Sequence, residues 1–131
     1  MTTIKATTKD WIPNPENASV LKIDGPELAN FEDQVKLFQA GEKDEVEFLR
    51  FRLRQGVYGQ RQPDRQMIRV KLPFGGLTAH QMDVLGDVAE KYTPLKRGHI
   101  TTRENVQYHH VPLAETTDLL RALGDAGMST R

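Results

Sequence analysis

Hydrophobic positions change period several times along this chain, and each change marks an element. From Pro26 onward Leu28, Phe31, Val35 and Phe38 recur at spacings of three, four and three, which predicts a helix over 27–40 with Pro26 in its first turn and Gly41 as its stop. Asp44 followed by Glu47 reads as a capping box opening a second helix that runs to about Arg54 and ends at Gly56. Its apolar set, Phe48, Leu49, Phe51 and Leu53, is ambiguous, because Phe51-Arg-Leu-Arg54 also alternates as a strand does. Over 66–72 the period becomes two, so Ile68, Val70 and Leu72 share one face while Arg69 and Lys71 share the other. Thr78 with Gln81 forms another capping box, and Met82, Leu85, Val88, Ala89 and Tyr92 form the buried stripe of the helix it opens. Pro94 and Gly98 close that unit. Strands over 99–103 and 106–111 follow, then a helix over 114–126 stopped by Gly127.

The order after residue 65 is strand, helix, strand, strand, helix, which predicts an α+β domain of ferredoxin-like type, βαββα, lacking its last strand. Met128 to Arg131 falls where that strand would start, so the chain reads as truncated. Three segments are expected: an extended arm over 1–25, a helical lead-in with an Arg-rich loop over 26–65, and the half-domain over 66–131. In the arm, Trp11 and Ile12 serve either as an anchor on some surface or as part of a plain leader.

The 131 residues carry 18 basic and 18 acidic side chains and 37% hydrophobic residues, enough for one modest core. No apolar run is long enough to span a bilayer and no signal-peptide stretch opens the chain, so a cytoplasmic protein without a membrane partner is expected. The absence of cysteine removes disulfides, thiolate chemistry and Cys-held metal clusters from what this chain does by itself.

Neutrality overall conceals segregation. Residues 24–47 hold eight acids and two bases; residues 50–71 hold seven bases, six of them arginine, against Asp64 alone. Arginine grips carboxylates and oxyanions through a planar fork, so a polyanionic ligand is the natural partner. Arg50, Arg52 and Arg54 are expected to pair in part with the acids just before them. A second cluster lies in Thr101-Thr-Arg-Glu-Asn-Val-Gln-Tyr-His-His110. Strand alternation puts Gln107 and His109 on one face and Tyr108 and His110 on the other, so a His-His metal site is not expected. Gln107 and His109 read on their own could equally cross-link a sheet edge. No nucleophile elbow or zincin spacing is present.

Three linked segments, Leu53-Arg-Gln-Gly-Val-Tyr-Gly-Gln-Arg61, Met67-Ile-Arg-Val-Lys-Leu-Pro73 with Gly75-Gly-Leu-Thr78, and Thr101 to His109, resemble the N-terminal ferredoxin-like half-domain of the sirohaem-dependent nitrite and sulfite reductases. The likeness runs from about Leu28 to Arg131. It implies that Arg69 helps bind the sulfite or nitrite oxyanion, that Arg103 binds sirohaem carboxylates with Gln107 and His109 as neighbours, and that Tyr58, Gln60, Arg61 and Lys71 approach the cofactor. It also implies a sirohaem and a [4Fe–4S] cluster in the full-length enzyme, neither expected on this chain alone, and a six-electron reduction of sulfite to sulfide or nitrite to ammonia. The cluster cysteines of the family are missing, so the chain is expected to be inactive alone. Its implied partners are the rest of a reductase chain, a ferredoxin or flavoprotein electron donor, and a second copy of itself through the surface left unpaired. The alternative is a freestanding ferredoxin-like interaction or nucleic-acid-binding module. A nucleic-acid partner is disfavoured because the strand carrying Met67, Arg69 and Lys71 lacks the aromatic residues on which bases stack.

Overall fold

A computed structural model describes residues 25–131; the arm expected over 1–25 lies almost wholly outside the described residues. The elements are α1 (Gly25–Gln39), α2 (Glu45–Arg54), β1 (Val57–Gly59), β2 (Arg65–Val70), a 3-10 turn (Pro73–Gly75), α3 (Ala79–Tyr92), β3 (His99–Ile100), β4 (Val106–Pro112) and α4 (Leu113–Asp125). The strands form one antiparallel sheet in the order β1-β2-β4-β3. The predicted βαββα unit is therefore present, as β2-α3-β3-β4-α4. Beside it stands β1, a strand the hydrophobic pattern did not announce, on the outer edge of β2.

Alternation along β2 divides the sheet into two faces. Ile68 and Val70 are fully buried against the helices with Leu72 nearly so, while Met67 and Arg69 emerge on the opposite side. From β4, Tyr108 and Val111 join the core, and α4 contributes Leu119, Leu120 and Leu123. Burying a side chain of this kind is worth about 1.5–3 kcal/mol. Tyr108 keeps its hydroxyl satisfied by donating to the Leu85 carbonyl at 2.7 Å, and its burial pushes the phenol pKa well above the ordinary value.

Tyr108 and Val111 are three residues apart, a spacing that simple alternation would put on opposite faces. The register shows how both reach the core: Gln66 faces Val111 and Ile68 faces Tyr108, so Met67 alone opposes His109 and His110. This is a β-bulge, with His110 at φ 61°. The expectation that His110 shares the face of Tyr108 is thereby corrected, since the extra residue resets the phase of the strand.

Helix signals behave largely as read. Asp44 accepts from the amides of Val46 and Glu47 without a return bond from the Glu47 side chain, so the expected box is only an N-cap, whereas the Thr78–Gln81 box closes in both directions. Gln81 also donates to the Ala126 carbonyl at 3.1 Å and is buried, whereas Met82, expected in the buried stripe, is 57% exposed. Likewise Leu49 and Leu53 lie toward solvent, and α2 packs through Phe48 and Phe51, which stack on Phe38 and Phe31 of α1. The predicted strand over 99–103 stops at Ile100; residues 101–105 form a turn closed by the Thr101 amide on the Asn105 carbonyl.

Past β1, the same edge of β2 receives the C-terminal residues. The Lys71 backbone amide donates to the Ser129 carbonyl at 2.9 Å and Thr130 Oγ1 donates to the Gln55 carbonyl at 2.5 Å. Gly56 makes this junction possible: it sits at φ 74°, and a Cβ there would fall 2.1 Å from the Thr130 carbonyl oxygen. Gly56→Ala is therefore expected to lower stability by about 1–3 kcal/mol in urea unfolding. Gly86→Ala, in the open interior of α3, should raise it by about 0.5–1 kcal/mol. Equal effects of the two would refute the close-approach explanation.

Candidate functional site

Because α3 and α4 cover one face of the sheet, the other displays what the alternation leaves over. Arg69 of β2, Gln107 of β4 and His99 of β3 occupy one row, each the register partner of the next. The Gln107 carboxamide, turned so that its oxygen meets the guanidinium, accepts from Arg69 Nε at 3.2 Å and Nη2 at 3.0 Å. The Arg69 guanidinium also lies 5.3 Å from the centroid of the Tyr58 ring on β1, a cation–π contact. Two neighbours thus hold the fork in place. No carboxylate among the described residues lies within 4 Å of it.

A second set of contacts ties the β1–β2 loop to the bulge. Gln60 Oε1 accepts from the His110 amide at 2.6 Å, which leaves its Nε2 facing His109 Nδ1 at 3.3 Å. A backbone amide can only donate, so the orientation of Gln60 is fixed and His109 Nδ1 must accept; the ring proton then sits on Nε2. Burial lowers the His109 pKa, and the neighbouring His110 and His99 lower it further.

The remaining sequence-predicted residues divide. Lys71 is exposed and carries on the alternation of Arg69. Arg61 is exposed in the β1–β2 loop. Arg103, expected at the end of a strand, instead projects from the β3–β4 turn and is exposed. That turn is anchored to the end of β2 by Asn105 Oδ1, which accepts from the Leu72 amide at 2.9 Å. Arg69 and Arg103 therefore sit at the same end of adjoining strands, one on the face and one on the rim. Tyr58, Gln60, Arg69, Gln107 and His109 form the contiguous part of the site; His99, which sequence reasoning passed over, belongs in the row by its pairing with Gln107.

Of the α2 arginines only Arg52 feels the preceding acidic stretch, through the charge of Glu45, and it forms no ion pair within 4 Å among the described residues. Glu32 meets Lys36 and Arg121, and Glu27 meets Arg131. Arg52 turns inward, donates to Gln66 Oε1 at 2.7 Å and lies over the Phe48 ring, and its burial lowers its pKa. Among the described residues, Arg50 and Arg54 have no carboxylate within 4 Å.

Taken together, the fold and the half-buried polar face define a ferredoxin-like half-domain with an open sheet face rich in hydrogen-bond donors. Residues 58–126 match the family of nitrite/sulfite reductase ferredoxin-like half domains, and the chain belongs to that family. It is 36% identical over 64 residues to the ferredoxin–nitrite reductase of Leptolyngbya laminosa, covering 49% of this chain and 12% of that protein. It is 35% identical over 66 residues to the chloroplastic ferredoxin–nitrite reductase of Betula pendula, covering 50% of this chain and 11% of that one. The chain thus spans only a small part of the length of these relatives. The structure of the Mycobacterium tuberculosis NirA protein superposes with a TM-score of 0.56 at 22% identity, over 92% of this chain and 25% of that one, a likeness of fold. Among the described residues no helix is long and apolar enough to cross a membrane.

The lowered His109 pKa has a measurable sign. The unfolded chain binds a proton near the ordinary value of 6.5 and the folded chain only at lower pH. Its contribution to stability is complete above about 6.5 and is lost as pH falls through the folded value. In chloride buffers the urea midpoint should fall between pH 7.5 and 5.5, and fall less in His109→Gln; an equal fall in both would remove His109 from the cause.

Proposed function

We propose that this chain is the cofactor-facing half-domain of a sirohaem-dependent nitrite or sulfite reductase, and that its open sheet face grips sirohaem and the inorganic oxyanion reduced on it. The observation that carries the reading is the row of Arg69, Gln107 and His99, with Tyr58 and His109 beside it, on a face that no helix of the described residues covers and where Arg69 meets no carboxylate among them. Such a donor set fits an acidic macrocycle: sirohaem carries many carboxylates, and holding them requires cations and N–H donors already in place. Membership of the half-domain family supports the same reading, as do relatives that are ferredoxin–nitrite reductases.

Each side chain then has a task that follows from its position. Arg69, held by Gln107 and Tyr58, offers its outward N–H groups to the oxygens of the bound anion at no cost in reorganisation. Arg103, on the rim, pairs with a carboxylate of the macrocycle, and Lys71 and Arg61 add positive charge around it. Gln60 keeps His109 in the tautomer that donates from Nε2. When bound, sirohaem and its [4Fe–4S] cluster would relay electrons from the donor to the substrate. A chain without cysteine cannot hold that cluster alone, so the isolated chain is inactive and works joined to the remainder of a reductase, with a ferredoxin or flavoprotein as donor.

The test uses the full-length reductase that carries this segment. Arg69→Ala should retain the sirohaem absorption band while reduction of nitrite or sulfite falls about 100-fold or more. Arg103→Ala should weaken the band itself. Unchanged spectrum and turnover in both variants would overturn the assignment.

A further inference from the structure

On the side of α3 and α4 turned away from the sheet runs a groove of about 370 Å³. Val84 and Tyr92 form its α3 wall, and α4 presents only Ala122 and Ala126 to it, so the floor stays open where longer side chains would close it. Val84, Tyr92 and Ala122 are partly buried and pack on the core from the other side. Its rim carries Asp87 and Asp125, neither of which meets a basic side chain within 4 Å among the described residues. Lys91, also at the rim, lies 5.3 Å from the centroid of the Tyr92 ring.

The described chain begins at the end of the molecule where this groove opens. Glu32 of α1 meets Arg121 of α4 and Glu27 meets Arg131, so the two helices run antiparallel and α1 starts beside the end of α4. The Gln81 bond to the Ala126 carbonyl brings the start of α3 to the same place. Before residue 25 stand 24 residues that carry the chain's one tryptophan, Trp11, with Lys9 before it and Ile12, Pro13 and Pro15 after it. The 14 residues from Trp11 to Gly25 span up to about 46–50 Å when extended, whereas the whole of α4 is about 20 Å long. Reach is ample, and a tether of that kind supplies an effective concentration of the order of millimolar, so the contact itself need only be weak.

We propose that this groove receives the chain's own N-terminal segment, with the Trp11 indole seated over Ala122 and Ala126. An indole removes about 150–250 Å² of its own surface from water on burial, and its N–H requires an acceptor, which Asp87 or Asp125 provides at the rim. Lys9 offsets the acidic charge there, and the two prolines reduce the backbone freedom lost on docking. The groove and the row containing Arg69 lie on opposite sides of the sheet, so this contact stands or falls apart from the function proposed above.

A single tryptophan makes the contact directly readable in the 131-residue chain by intrinsic fluorescence. Emission of the native chain should be blue-shifted against the urea-unfolded chain and protected from acrylamide. Ala122→Arg, which fills the floor with a long cation and leaves the core untouched, should return the emission to that of a solvated indole and raise acrylamide quenching severalfold. Met82→Arg, at an exposed position of α3 outside the groove, should change neither, and far-UV circular dichroism confirms that both variants are folded. Because the chain has no cysteine, Asp125→Cys carries a nitroxide at one position only, and in its paramagnetic form this label should quench Trp11 in the native chain and not in urea. Should Ala122→Arg fail to fold, the nitroxide decides. A solvated indole in the native chain, a blue shift that survives Ala122→Arg, or no quenching from position 125 overturns the proposal. A blue shift lost on dilution assigns the segment to the groove of a second copy and overturns docking within one chain.

Discussion

The antiparallel pairing of β2 with β4 is the constraint from which the rest of the molecule follows. Side chains in a strand have only two directions, so sending Ile68, Val70, Tyr108 and Val111 into the core commits Met67, Arg69, Gln107 and His109 to the other face. The site is the complement of the core. Helices α3 and α4 cover one side of the sheet, and the same backbone hydrogen bonds that seat the core residues set the spacing of the polar row.

Arginine on such a face has a long, mobile side chain whose ordering costs entropy. Here two neighbouring side chains already hold it in one place. The Gln107 oxygen takes two guanidinium N–H groups and the Tyr58 ring underlies the cation. Both partners are neutral, which matters. A carboxylate in either place would cancel the charge and compete with an anionic ligand, whereas an amide and a phenol orient the group and leave its field intact. Gln60 treats His109 in the same way, fixing a tautomer without adding charge.

Much of this was legible in the residue pattern, for physical reasons that also mark its limit. Helix α1, the Asp44 and Thr78 caps, the glycine stops and the alternation of β2 depend on local spacing and could be read directly. β1 could not, because Val57-Tyr-Gly59 is too short to show a period and exists only through pairing with β2. The placement of His110 escaped as well, since this bulge uses a left-handed residue and no glycine marked the position. Met82 and Gln81 exchanged roles because Gln81 serves both its helix cap and the end of α4. The acidic stretch before Arg50 met the expected arginines only through Glu45 and Arg52, while Glu32 turns to Arg121, far along the chain. The contiguous site was largely visible, as Tyr58, Gln60, Arg69, Gln107 and His109, while Arg103 belonged to a turn and His99 entered only through strand register.

The bulge at His110 bears on how this strand can vary. A uniform β-strand has one phase from end to end, but β4 has two, joined at that residue. Losing one amino acid there would not merely shorten the strand; it would invert one half relative to the other, driving a core residue into water or an imidazole into the interior. The exposed β3–β4 turn before it is freer to take an insertion by comparison. Length is therefore constrained within β4 even where identity is free, and related chains should drift there by substitution while gaining and losing residues elsewhere.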